Sequence, residues 1–230
     1  MSKPQSWAGV DAADRRAMRR QLLLDSALAV VGEEGLSGVT LRAVCRQAEL
    51  NTRYFYESFA SVDELLGALH DYLVMSTASD AYEAVRAAST DREVVHAFIH
   101  VNLSSISEDP RRARVLYTDA TSNPVLATKR HDTLQMLIYT IAPLSMPAAG
   151  PNSTYPTVAA IMAGGAMAEL VGAWAEGRLG DDLPTAVDHA TDFMFASLGP
   201  THVLDGVRQR ALDSFEEMLA SPDDLASPEN

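Results

Sequence analysis

Two short apolar-periodic runs, separated by three residues, constrain this chain more than any other feature in it. Residues 40 to 60 read Thr-Leu-Arg-Ala-Val-Cys-Arg-Gln-Ala-Glu-Leu-Asn-Thr-Arg-Tyr-Phe-Tyr-Glu-Ser-Phe-Ala. In the first run Leu41, Val44, Cys45 and Ala48 recur at helical spacing and form a buried face. Thr40 is placed to cap that helix through its hydroxyl. Arg42 and Arg46 lie on the opposite face, four residues apart, available to phosphates. Ala48-Glu49-Leu50 makes the turn, with Leu50 plugging the angle between the helices. Asn51 caps the second helix, about Thr52 to Ser58, in which Phe55 and Phe59 share the inward face. Thr52, Arg53 and Tyr56 are left pointing outward, and Tyr54 flanks them. This is the layout of a helix-turn-helix, whose second helix enters the DNA major groove. Among these residues only Arg53 can grip a guanine edge with two hydrogen bonds. Thr52 and the tyrosine hydroxyls suit phosphates or thymine methyl groups.

The flanking sequence supplies the helices against which such a pair packs. Asp11 to Glu34 reads as one long helix carrying Leu22, Leu23, Leu24, Ala27, Leu28 and Val31, and Gly35 fits the left-handed residue that ends it. Ser61-Val-Asp-Glu64 is a capping box. It opens a further helix with Leu65, Leu66, Leu69, Leu73 and Val74 along one stripe. With Gly35 ending the long helix, then Gly38-Val39-Thr40-Leu41-Arg42, then Tyr56-Glu-Ser-Phe59-Ala-Ser61-Val-Asp-Glu64-Leu65-Leu66, the chain resembles TetR-type transcriptional regulators over roughly residues 14 to 70. The resemblance implies an N-terminal DNA-binding domain, a variable C-terminal domain that binds a small ligand and dimerises, and a homodimer. Two positions depart from the family pattern. Glu49 stands where the family commonly has a turn glycine. Val62 stands where it often has a lysine that contacts a phosphate. Both remove favourable electrostatics at a DNA surface, so the expected affinity is modest or strongly salt-sensitive.

Charge is distributed in a way that fits this division. The 230-residue chain carries a formal net charge of −13, which taken alone argues against a polyanionic partner. Residues 1 to 60, however, hold eight Lys and Arg against seven Asp and Glu, a net of +1, while residues 61 to 230 hold ten against 24, a net of −14. An acidic body is repelled by DNA and leaves the other end to face it. The expected organisation is all-α: a DNA-binding domain over 1–60 preceded by a flexible arm over 1–10, a helical ligand-binding and dimerisation domain over 61–220, and a disordered tail over 221–230. Cys45 is the only cysteine, so neither an intramolecular disulfide nor a cysteine-based zinc site is available. The N-terminus is polar and carries Pro4 and Gly9, unlike a signal peptide. The apolar stretch Tyr155 to Leu170 is interrupted by Pro156, two glycines and Glu169, so no membrane span and a cytoplasmic location are expected.

Two groups of residues beyond position 60 are candidate sites. Phe98, Asn102, Tyr117, Leu134, Met136, Leu137, Tyr139, Met162 and Met167 lie on the middle helices. Apolar with a few polar tips, as a set they are the candidate ligand pocket. Two later helices, about Thr154 to Leu179 and Pro184 to Leu198, are rich in small and aromatic residues and suit a two-helix face that pairs with its symmetry mate. The expected interface residues are Ala163, Met167, Trp174, Val187, Ala190, Phe193 and Met194. Arg111, Arg112, Arg114, Lys129 and Arg130 cluster beside the breaks at Pro110 and Pro124 and read as solvated ends. The expected ligand is therefore apolar or amphipathic rather than strongly anionic, and the abundant acidic side chains also fit a cationic lipophile. His96 and His100 are four apart but have no third ligand at metal-site spacing. No catalytic arrangement and no cofactor motif is recognisable, so an enzyme is not expected. The function these observations favour is a ligand-responsive DNA-binding regulator, a repressor released from a palindromic operator in double-stranded DNA by a small effector. Glu49, Val62 and the overall acidity also fit a helical interaction protein of the same fold without specific DNA binding. A helical enzyme is the third alternative.

Overall fold

The computed structural model describes residues 11–141, 154–197 and 207–220, and every regular element among them is helical. In chain order these are α1 (Ala12–Glu34), a 3-10 turn (Leu36–Gly38), α2 (Leu41–Gln47), α3 (Thr52–Tyr56), α4 (Val62–Ala87), α5 (Asp91–Glu108), a short α6 (Arg111–Ala113) that widens into a π turn (Arg114–Thr118), a 3-10 turn (Ala120–Ser122), α7 (Pro124–Ile141), α8 (Tyr155–Ala175), α9 (Leu183–Ser197) and α10 (Val207–Ala220). The chain divides between Leu69 and His70 into two compact units. That boundary falls inside α4, nine residues beyond the expected end of the DNA-binding domain at 60. The expected arm over 1–10 and tail over 221–230 lie outside the described residues.

The N-terminal unit is organised by caps. The Thr40 hydroxyl accepts from the Ala43 N–H at 3.2 Å, and Asn51 Oδ1 accepts from the Arg53 N–H at 2.9 Å. Ser61 Oγ accepts from the Glu64 N–H at 3.1 Å, and Glu64 reaches back to the Ala60 N–H at 2.6 Å, one residue short of a standard capping box. Between α2 and α3 the chain reverses through Glu49, which sits at φ 53, in the left-handed region. The turn closes with Leu50 N–H to Cys45 O at 3.0 Å and Glu49 N–H to Arg46 O at 3.2 Å. A glycine would hold this conformation without the clash between Cβ and the following carbonyl. The departure noticed in the sequence is thus a matter of backbone strain as well as charge. Phe55, Phe59, Leu65, Leu66 and Leu69 are each 2% exposed or less, and the Phe55 and Phe59 rings touch, with centroids 5.9 Å apart. Cys45 is buried, and burial raises its thiol above the usual range.

In the C-terminal unit, α5 packs against α8 and α9, α7 against α8, and α10 against α5 and α7. One cluster joins Ile99, Leu103 and Ile106 of α5 to Met167, Val171 and Trp174 of α8 and Val187 of α9. A second joins Ala78, Ala81 and Val85 of α4 to Phe215 of α10. Arg208 fastens α10 by donating to the Ala88 and Arg86 carbonyls at 2.7 and 2.9 Å, satisfying acceptors freed at the end of α4. Helix α8 stops at Ala175, four residues before its expected end at Leu179. Gly177 takes φ 70, its N–H bonds to Trp174 O and that of Arg178 to Ala173 O, a Schellman closure. By length and composition alone Thr157–Ala175 could cross a bilayer. Its buried side, however, is part of the core just described.

Replacing Glu49 by glycine should relieve the left-handed strain and stabilise the protein by about 0.5–1 kcal/mol, the strain gained exceeding the backbone entropy lost. Urea denaturation followed by circular dichroism measures this. A variant less stable than the natural chain would show that the Glu49 side chain contributes more than its conformation costs.

Candidate nucleic-acid interface and ligand cavity

Helix α3 has five residues and presents one side to solvent. Phe55 is buried, while the Arg53 side chain is 83% exposed and Tyr56 61%. Thr52 and Asn51 are exposed, as are Thr40 and Arg42 on the adjoining helix start. All seven residues expected to touch DNA are thus exposed. Two of them also serve as caps. Tyr54 is held from behind: the Arg19 guanidinium lies 4.7 Å from its ring centroid. Arg46, grouped with Arg42 in the sequence, is drawn toward Glu34 at 3.4 Å.

Glu57 had no assigned part. Its carboxylate lies 3.2 Å from Arg53 Nε on one oxygen and 3.3 Å from Arg19 on the other, and its backbone carbonyl accepts from Arg16 at 2.6 Å. An exposed pair of this kind adds little stability. Its effect is directional, because the shared carboxylate restricts where the Arg53 guanidinium points. The i to i+4 spacing of Arg53 and Glu57 was the available signal. The contribution of α1, 38 residues earlier, had none.

The C-terminal unit encloses a cavity of about 110 Å³. Phe98, Asn102, Tyr117, Leu134, Met136 and Met167, all expected ligand contacts, lie on its wall. Met162 does not: it is 69% exposed on the outer side of α8. Tyr139 belongs to α7, but its side chain lies outside the described residues, as does that of Leu137. Residues that sequence reasoning missed are His70, Val74 and Thr77 from α4, and Phe215 and Met218 from α10. Arg130 also lines the cavity, contrary to its expected place at a solvated helix end. The reason is that α7 meets α4 soon after Pro124. Lys129 reaches Asp71 at 2.7 Å, which brings the next residue to the cavity. Arg112 is likewise half-buried, donating to Leu73 O at 3.2 Å and Thr77 Oγ1 at 2.8 Å.

The ionisable groups here are perturbed for identifiable reasons. Burial works to raise the Asp71 carboxyl, but its neighbours His70 and Lys129 outweigh that and hold it below its ordinary 3.8. His70 Nδ1 is 3.6 Å from the carboxylate, too long for a hydrogen bond, so the Lys129 contact is the effective one. Burial raises the Tyr117 phenol from 10.0 to about 12, against the opposing pull of Arg130 and Arg112.

The expected dimer residues separate into two sets. Ala163, Trp174 and Val187 are buried within the subunit, and Trp174 Nε1 donates to Ser107 Oγ at 2.8 Å. Met167 lines both the cavity and an outer groove between α8 and α9, to which Ala190, Phe193 and Met194 also contribute. Phe193 is 64% exposed. On α8 the large apolar residues that face outward are Tyr155, Val158, Ile161 and Met162. This helix is apolar all round, so periodicity could not fix which side is inner. His96 and His100 stack with ring centroids 6.1 Å apart, and no cluster of three metal-binding side chains occurs among the described residues.

Comparison with known proteins places this geometry. Residues 23–69 match the family model described as bacterial regulatory proteins, tetR family. The HTH-type transcriptional regulator BetI of Rhizobium meliloti is 36% identical over 85 residues, which is 37% of this chain and 42% of the relative. The match thus spans under half of that protein. The fatty acid degradation regulator FadR of Bacillus halodurans aligns with a TM-score of 0.63 at 18% identity, over 78% of this chain and 97% of that one. FadR of Bacillus subtilis, solved in complex with stearoyl-CoA, aligns with a TM-score of 0.64 at 18% identity, over 77% and 98%. At such identities the structural likeness speaks for the fold alone.

The Tyr117 environment has a measurable consequence. The folded chain keeps a proton that the unfolded chain releases above pH 10, so this stability is whole below pH 10 and is lost as pH rises toward 12. Tyr117→Phe should abolish that component, and the stability gap between variant and natural chain should move in the variant's favour between pH 10 and 12. Urea midpoints of both proteins across that range test it. A constant gap would mean that Tyr117 titrates normally in the folded chain.

Proposed function

We propose that the chain, whose residues 23–69 match the model of the tetR family of bacterial regulatory proteins, is a member of that family and a DNA-binding transcriptional regulator whose occupancy of an operator is controlled by a small molecule. The observation that carries this reading is the short helix α3, which turns Thr52, Arg53 and Tyr56 to solvent above a floor made by Phe55 and Phe59. In this reading Arg53 reads a base edge, while Thr40, Arg42, Tyr54 and Tyr56 hold the phosphate backbone. Two copies act together, because a single head makes too few contacts for useful affinity. The outer faces of α8 and α9, with Val158, Ile161, Met162 and Phe193 exposed, supply the apolar surface for pairing. The operator is accordingly palindromic.

The effector occupies the cavity of the C-terminal unit and is apolar or amphipathic, as the methionine and phenylalanine lining favours. It acts by population shift: a ligand preferring one conformation draws the protein toward it, and a ligand without preference shifts nothing. Helix α4 is the route, because one continuous helix carries both Leu69 of the N-terminal unit and His70 of the cavity wall. Two heads must sit about one DNA turn apart, ~34–36 Å or a multiple, so a change of spacing releases the operator. This makes the protein a repressor relieved by its ligand.

Arg53→Ala should cost about 1–3 kcal/mol per half-site and relax preference at one base pair. Arg42→Ala should weaken all sequences alike and flatten the dependence on salt. Binding of both variants to the selected operator and to random DNA, across a salt series, separates the two roles. Equal losses on specific and random DNA for Arg53→Ala would remove it from base reading.

A further inference from the structure

The cavity is not uniformly apolar, and its two ends differ in chemistry. Along α4 it is lined from His70 to Ala81, a length of about 16 Å at ~1.5 Å per residue. The contact of Lys129 with Asp71 fixes α7 beside the His70 end, where Arg130 and, one turn on, Thr133 line the cavity. Tyr117 lines the same cavity, within range of the Arg130 charge. Ala78 and Ala81, at the other end, cluster with Phe98, Phe215 and Met218. One end therefore gathers a guanidinium, a phenol, an imidazole and a hydroxyl. The other gathers aromatic rings and methionine.

Two polar groups at that end make no hydrogen bond among the described residues. Arg130 has no hydrogen-bond or ion-pair partner among the described residues, unlike Lys129, which Asp71 neutralises, and Arg112, which serves Leu73 and Thr77. His70 is 1% exposed, and its Nδ1 makes no hydrogen bond. Among the described residues, no aspartate or glutamate lines the cavity. A wholly apolar ligand would bury these donors unsatisfied, which is costly. A cation would meet Arg130 with nothing to offset the repulsion. A doubly charged phosphate would find one free guanidinium where it needs more. A carboxylate matches the charge and the planar fork of a single arginine.

We propose that the cavity takes an aliphatic monocarboxylate, its head group held by Arg130 with the Tyr117 hydroxyl and the His70 ring beside it, and its chain running along α4 toward Phe98, Phe215 and Met218. The proposal depends on the reading above only in treating the cavity as the ligand site. The volume of 110 Å³ is below the ~300 Å³ of a drug-sized pocket, so a slender chain is favoured and the methionines must yield to admit it.

Calorimetric titration of the full chain with dodecanoate, dodecanol, dodecyl phosphate and dodecyltrimethylammonium, below their micelle concentrations, decides the matter. Dodecanoate should bind about tenfold or more tightly than dodecanol, as a charge-assisted hydrogen bond requires. Arg130→Gln should erase that difference while leaving dodecanol binding unchanged, and Arg130→Lys should restore part of it. Far-ultraviolet circular dichroism checks that both variants fold, and the natural chain's choice between acid and alcohol needs no variant. Dodecanol binding as tightly as dodecanoate, preference for the phosphate or the cation, no binding by any of the four, or an acid preference that survives Arg130→Gln would each overturn the proposal. A parallel DNA-binding assay keeps the two readings apart. Dodecanoate that binds through Arg130 and leaves operator affinity unchanged defeats the effector mechanism and upholds the ligand class. Operator release by apolar compounds together with failure to bind dodecanoate does the reverse.

Discussion

A five-residue helix cannot stand by itself: fixing its first turn costs more than its few hydrogen bonds return. Helix α3 exists because Phe55 and Phe59 are driven into the interior and Asn51 satisfies its first free N–H. That burial is the constraint on which the N-terminal unit depends. It decides that Arg53, two residues before Phe55, must face outward. It also places Glu57 where one carboxylate can meet Arg53 and Arg19 together. The side chains best suited to read DNA are thus displayed as the other side of a packing requirement.

Charge is handled differently in the two units. In the N-terminal unit cations lie near the solvent-facing helix pair, and Glu34 and Glu57 temper Arg46 and Arg53 without burying them. In the C-terminal unit the overall acidity is spent on pairs: Asp71 with Lys129, Asp192 with Arg92, Asp119 with Arg114. Arg130 has no such partner among the described residues, and it lines the cavity. A unit with many carboxylates thus leaves the half-buried Arg130 guanidinium without a carboxylate partner among the described residues. That arrangement is most economically understood as a place kept for an anion.

Much of the N-terminal unit was legible because its signals are local. Thr40, Asn51 and Ser61 act within three residues of themselves, and the spacing of Phe55 and Phe59 fixes which side of α3 is buried. The C-terminal unit was less legible because α8 is apolar on every side. Ala163 and Trp174 could be assigned to an outer face, and Met162 to a pocket, only because nothing in the sequence fixed the helix's rotation. The structure reverses all three. Arg130 misled for a related reason. A cation beside a proline break has no local feature that separates a solvated end from a cavity wall; that depends on the contact of Lys129 with the distant Asp71. The bridge from Arg19 to Glu57 joins residues 38 apart and leaves no trace in either segment.

The central claim is that two copies of this chain read DNA through α3. Its most direct test is selection of bound fragments from a random DNA pool by the full chain, followed by sequencing. The account predicts an enriched inverted repeat whose half-site centres lie about 10 base pairs apart, or a multiple of that spacing. Recovery of no enriched sequence, or of a single half-site without its mate, would contradict it.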